Sequence, residues 1–269
     1  MVQRAILCPR CRQLIGSNES VCSWCGTSRS APWWRLLSMT RGAAQADWVV
    51  KVIISINILF FAVSLLLSSG MDGSGGFLSP GRTGLFLLGA TGTLPIDHYG
   101  RFWTLVSANY LHGGIIHIIF NLMALRQLAP WVINEYGVSR MFIIYTFGGV
   151  FGYVVSYFAG VPFTIGASAS LCSLIGSLLY YGKSRGGAYG SSVYSEVSGW
   201  VISLFVFGLI APGINNWAHG GGIVGGMILG LLAGYKERRA ESMLHHILAL
   251  LCVLTTIGVL GWAVRGALQ

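Results

Sequence analysis

The sequence predicts an all-α polytopic membrane protein, and three observations carry that prediction. Of its 269 residues, 54% are hydrophobic and only 9% are charged, against about 25% charged in a soluble domain. The mean hydropathy is +0.68 and glycine occurs 38 times, a combination suited to helices packed closely in lipid. From Val49 onward the apolar residues gather into runs of membrane-spanning length, for which roughly 20 residues suffice. This excludes a soluble globular enzyme, a disordered or collagenous chain, and a nucleic-acid binder with a broad basic face.

Taken in order, the spans are expected at 49–69, 115–134, 141–160, 168–182, 197–211, 217–235 and 247–264. The fourth and fifth are short, which fits helices that begin below the membrane surface, where surrounding protein tolerates irregular backbone. Residues 1–46 form a separate head without a spanning run, and a charged start followed by Cys8-Pro9-Arg10-Cys11 lacks the apolar region of a signal peptide. Residues 47–235 make a six-helix core, and 236–269 a loop and a seventh helix. Between the first two spans, 70–114 reads as a structured interfacial loop containing Asp72, Arg82, Asp97, Arg101 and Phe102-Trp103.

The net charge of +9 is a topology signal. With the head placed in the cytoplasm, 14 of the 17 Lys and Arg residues fall on the cytoplasmic side, leaving Arg82, Arg101 and Arg265 outside. The positive-inside rule selects that orientation. The second, fourth and sixth helices then begin at the outer face and run inward.

In the head, Cys8-x-x-Cys11 and Cys22-x-x-Cys25 are two Cys knuckles separated by ten residues. Four thiolates so spaced suit a tetrahedral Zn²⁺. The metal is structural by this reading, since four Cys ligands leave no open position and so small a head has little core of its own. The sequence does not name the head's partner.

The other informative residues are the few polar groups within the spans, where such groups are costly and face a functional interior. His117 and Asn121 stand at i and i+4 on the second span, Ser168 opens the fourth after Gly166-Ala167, and His219 opens the sixth. Gly222, Gly226 and Gly230 form a bare stripe on the sixth helix, facing Ser168, Cys172 and Gly176 on the fourth. Small faces of this kind allow backbones to approach, which brings Ser168 and His219 to one depth. Serine needs an adjacent imidazole to accept its proton during attack, and no carboxylate lies in these spans to complete a triad, so the expectation is a dyad. His117, Asn121 and the Ser168 N–H are the candidate oxyanion donors. Singly, each residue has an ordinary structural explanation; four at one depth on matched helices favour catalysis.

These residues resemble the rhomboid family of intramembrane serine proteases. The resemblance covers about 49–235 and rests on Phe102-Trp103, on His112 followed by His117 and Asn121, on Gly166-Ala167-Ser168-Ala169, and on Ala218-His219-x-x-Gly222-x-x-x-Gly226. It implies a rhomboid-like six-helix core plus a C-terminal seventh helix behind the N-terminal zinc ribbon, a Ser168–His219 dyad, and an oxyanion site of His117, Asn121 and the Ser168 N–H. It also implies transmembrane protein substrates cut near the outer membrane face, no cofactor in the active site, and residence in a lipid bilayer, the bacterial inner membrane. Three positions depart from the family pattern: Thr104 follows Trp103 where Arg is usual, Ala169 replaces Gly after the nucleophile, and Cys172 replaces Phe or Tyr. A catalytically inactive rhomboid-like protein that binds transmembrane helices is the alternative. A transporter is disfavoured because the polar set is confined to the outer ends.

Overall fold

A computed structural model describes residues 5–8, 14–16, 19–26, 28, 43–68, 78–211 and 213–269. The chain divides into two compact units, Met1–Lys51 and Val52–Gln269.

In the first unit, β1 (Ala5–Leu7) pairs antiparallel with β2 (Leu14–Gly16), with Ile6 opposite Ile15. Cys8 follows β1 directly. Cys22 and Cys25 lie on a tight turn closed by the Gly26 N–H on the Cys22 carbonyl. Ile15, Cys8 and Cys22 form a small buried cluster with Cys25 packed against it. The Glu19 carboxylate accepts the Gly16 N–H at 2.7 Å, and that bond holds its pKa below the usual carboxylate value.

Seven long helices lie among the described residues: α1 (Ala43–Ser68), α5 (Ile115–Tyr136), α6 (Val138–Phe158), α7 (Ser168–Arg185), α8 (Gly187–Ile210), α9 (Asn216–Ala233) and α10 (Met243–Ala267). Between α1 and α5 come three short helices, α2 (Arg82–Leu87), α3 (Thr93–Asp97) and α4 (Thr104–Ser107), and one 3-10 turn, Ala108–Tyr110. Five of the long helices are long and apolar enough to cross a membrane. The other two, α7 and α9, are 18 residues each, and they are the helices that carry Ser168 and His219. The fold is therefore an all-α polytopic membrane protein. The seventh long helix, α10, belongs to the same compact unit as the other long helices from Val52 onward.

The fifth long helix begins ten residues earlier than expected, at Gly187 rather than 197. Its first turns, rich in Gly, Ser and Tyr, read as a loop by hydropathy. They are helical because Gly190 lies against Gly182 of α7 so closely that a Cβ would meet the Gly182 carbonyl oxygen at 2.8 Å, and Val193 and Val197 are buried in turn.

Helix α9 packs between α6 and α7 through glycine. A Cβ on Gly222 would strike the Ala169 carbonyl and lie 3.0 Å from the Cys172 Cβ; one on Gly226 would strike the Ser173 carbonyl, and one on Gly176 the Ile223 carbonyl. Gly230 meets the Tyr136 hydroxyl and the Ser177 backbone. On α7 the facing set is thus Ala169, Cys172, Ser173, Gly176 and Ser177, broader than the i, i+4 stripe expected from Ser168. Polar side chains inside this core turn back to backbone: the Ser173 hydroxyl donates to the Ile144 carbonyl at 2.7 Å and the Tyr136 hydroxyl to the Ser177 carbonyl at 2.8 Å.

Candidate active site

Helices α5, α7 and α9 begin at the same end of the bundle. Ser168 is the first residue of α7 and His219 stands in the first turn of α9. Ser168 Oγ lies 2.9 Å from His219 Nε2. Both side chains are half-buried, and His219 Nδ1 is enclosed without a hydrogen-bond partner. With Nδ1 carrying the proton, Nε2 is an acceptor for the serine hydroxyl. Among the described residues, no carboxylate is bonded to this imidazole.

His117, on the first turn of α5, faces the same point. Its Nδ1 accepts the Gly113 N–H at 3.3 Å, which leaves the proton of the neutral ring on Nε2. Gly166 separates this ring from the serine. Its φ of +129° lies where glycine is favoured, and a Cβ there would sit 2.9 Å from His117 Nε2 and 3.4 Å from Ser168 Oγ. The missing methyl leaves a gap flanked by the His117 Nε2–H and the Ser168 hydroxyl. The Ser168 N–H, in the first turn of α7, has no intrahelical acceptor. Asn121 is buried one turn below His117, where its Nδ2 donates to the His117 carbonyl at 2.8 Å and its Oδ1 is unpartnered.

The turn into Ser168 is fixed from several sides. The Gly166 N–H donates to the Ala108 carbonyl at 2.9 Å, and the buried Tyr153 hydroxyl donates to the Gly166 carbonyl at 2.6 Å. Thr91 and Thr164 exchange both backbone bonds, so the 78–114 segment is stitched to the residues ahead of α7. Ser170 donates to Asn109 Oδ1 at 2.8 Å. Thr104 is fully buried, its hydroxyl 2.6 Å from the Arg101 carbonyl and 3.0 Å from Thr91 Oγ1. Three residues earlier, the Arg101 guanidinium covers the Phe86 ring at 4.5 Å and donates to the Phe86 carbonyl. A guanidinium thus stabilises this loop although none follows Trp103.

A rhomboid domain model matches residues 99–236, just over half of the chain. The chain belongs to the rhomboid family. Among relatives of this rhomboid chain, rhomboid protease GluP of Bacillus subtilis (strain 168) is 29% identical over 203 residues, covering 75% of this chain and 39% of its own length. RHOMBOID-like protein 4 of Arabidopsis thaliana is 25% identical, covering 69% of this chain and 52% of its own length. The mitochondrial RHOMBOID-like protein 6 of Arabidopsis thaliana is 28% identical, covering 62% and 57%. The chain spans about half the length of the relatives it matches.

In the head, the sulfurs of Cys8, Cys22 and Cys25 lie within 4.8 Å of one another and could hold a metal ion; Cys11 lies outside the described residues. Asp72 does as well. Sequence reasoning missed Tyr153, Asn109 and Asn215. Of these only Asn215 had a local signal, an N-cap residue ahead of Ala218-His219.

Proposed function

We propose that this rhomboid chain is an intramembrane serine endopeptidase that cuts transmembrane protein substrates near the outer membrane face with a Ser168–His219 dyad. The observation that carries the reading is the 2.9 Å contact between Ser168 Oγ and His219 Nε2, opposite the His117 Nε2 donor across Gly166. The Ser168 hydroxyl passes its proton to His219 Nε2 as Oγ bonds to the scissile carbonyl carbon, and the carbonyl π pair moves onto oxygen. His117 Nε2–H and the Ser168 N–H stabilise that oxyanion, with the second Asn121 amide proton as a further donor. Collapse breaks the C–N bond, and the leaving amine takes the proton from His219. Water then attacks the acyl-serine, giving a proton to His219; the ester C–O bond breaks, Ser168 Oγ takes that proton back, and the carboxylic acid product leaves. No metal or cofactor takes part at this site.

The orientation reading is supported by the distribution of charge within the bundle. Arg140, Arg185, Arg238 and Arg239 gather at the end opposite Ser168, roughly 27 Å away along an 18-residue helix. By the positive-inside rule that end is cytoplasmic, as is the head, and the membrane is a bacterial inner membrane. The head, within residues 1–46, holds a structural zinc on Cys8, Cys11, Cys22 and Cys25; three of these already converge, and thiolates are the ligands Zn²⁺ prefers in closed sites.

Reconstituted in liposomes, the native chain is expected to cleave a single-pass substrate with helix-breaking residues near its outer end. Ser168→Ala and His219→Ala abolish cleavage, and a fluorophosphonate labels Ser168 only in the native chain. A native chain that binds the substrate yet leaves it whole and Ser168 unlabelled would be the silent, helix-binding rhomboid instead. Metal analysis of purified protein is expected to give about one zinc per chain; loss of zinc in Cys22→Ser with cleavage retained separates the head from the active site.

A further inference from the structure

We propose that Asn215 is a positioning residue that sets the His219 imidazole against Ser168; this rests on the proteolytic reading above. Asn215 ends the segment ahead of α9 and joins three pieces of backbone at one planar amide. Its Oδ1 accepts the Ala218 N–H at 3.0 Å, capping α9. Its Nδ2 donates to Ser156 Oγ at 2.6 Å, near the end of α6, and to Thr164 Oγ1 at 3.0 Å, four residues ahead of Ser168. Its own carbonyl accepts the His219 N–H at 3.1 Å. Ser156 and Thr164 are both buried, and Thr164 is bonded on both sides to Thr91.

A cap alone needs only an acceptor, which Ser or Asp supplies as well as Asn. Asparagine adds two donors on the same rigid plane, and both are used. They fix the height of the strand entering Ser168 relative to the helix carrying His219. Among the described residues the imidazole has no carboxylate behind it and no partner on Nδ1. Its placement therefore comes through the backbone that Asn215 anchors, and through the glycine contacts below it.

The experiment compares Asn215→Ser, which keeps the cap and loses the two cross-links, with Asn215→Asp, whose second oxygen accepts from the two hydroxyls. Asn215→Ser is expected to lower the unfolding midpoint modestly, as two buried hydroxyls lose a donor, but to lower kcat of the folded protein about 10²-fold with KM unchanged, and to slow fluorophosphonate labelling of Ser168 in parallel. Asn215→Asp recovers most of that rate. Adding Ser156→Ala and Thr164→Val to Asn215→Ser lowers the rate no further, as expected for one coupled unit. The imidazole nitrogen resonances of His219, read in isotope-labelled protein, shift in Asn215→Ser. Native kcat in Asn215→Ser, a rate lost only in proportion to folded protein, or an unmoved His219 resonance would each overturn the proposal. A native chain that neither cleaves nor labels, with a His219 resonance that still moves in Asn215→Ser, would sink the proteolytic reading and leave the positioning role standing.

Discussion

The two ends of the bundle treat polar groups in opposite ways. At the Arg140 end most of them are answered, although Arg140 Nε and the Tyr181 hydroxyl are enclosed without a partner. The fully buried Arg140 guanidinium donates to the carbonyls of Tyr136 at 3.1 Å and of Arg239 and Ala240 at 2.8 Å. The Glu241 carboxylate accepts the N–H groups of Ser139 and Arg140 in the first turn of α6. His246 bonds Ser139, Tyr189 bonds the buried Glu135, and Arg185 pairs with Glu237. At the Ser168 end, His219 Nδ1 and Asn121 Oδ1 are left without partners, and His117 Nε2 faces a gap. Buried polar atoms without partners are expensive, so a fold tolerates them where a passing reactant completes the set. One end ties α10 and its loop to the core; the other leaves open the atoms on which the proposed chemistry rests.

The contrast can be broken from either side. The largest effect is expected from Arg140→Met, which leaves three carbonyls unanswered and costs about 3 kcal/mol of stability. Fluorophosphonate labelling of Ser168 below the unfolding midpoint should be unchanged; slowed labelling would mean that the two ends are not independent. Next, Gly166→Ala puts a methyl in the gap between His117 and Ser168 and is expected to lower kcat/KM about 10²-fold, while its backbone strain costs only about 1–2 kcal/mol. Equal losses of folded protein and activity would argue against a reaction at that gap. The smallest effect belongs to Glu241→Gln, which keeps an acceptor but removes the charge at the start of α6. It should cost about 1 kcal/mol, shrinking as salt is raised, measured by denaturation in detergent micelles with activity retained.

Much of this arrangement was legible in the sequence, for reasons that also mark its limits. Hydropathy pointed to the long helices because a bilayer demands apolar runs of about 20 residues, a criterion that five of them meet and α7 and α9 do not, and the rarity of polar residues made His117, Asn121, Ser168 and His219 stand out. The same signal failed at 187–196, where a Gly-to-Gly helix crossing, invisible to hydropathy, makes a polar stretch helical. Spacing put Asn121 beside His117 but could not show that one amide donor is spent on the His117 carbonyl. The links that hold the turn at Gly166 include Tyr153 to Ala108, Gly166 to Ala108 and Thr91 to Thr164, which join residues far apart in the chain, and no local pattern encodes them. The four cysteines point to a metal site by type and spacing, and the sulfurs of Cys8, Cys22 and Cys25 lie close enough together to hold one.

The glycine contacts between α7 and α9 bear on how the separation of Ser168 and His219 responds to heat. Side chains that mediate a helix contact hop among rotamers, and the spacing they set breathes with them. At Gly222 against Ala169, Gly226 against Ser173 and Gly176 against Ile223, carbonyl meets α-carbon and there is no rotamer to populate. The pair of reacting groups is mounted on something closer to a ruler than a spring. On the proteolytic reading proposed above, warming the membrane should therefore alter how fast a substrate helix arrives and unwinds well before it alters the distance over which the proton moves.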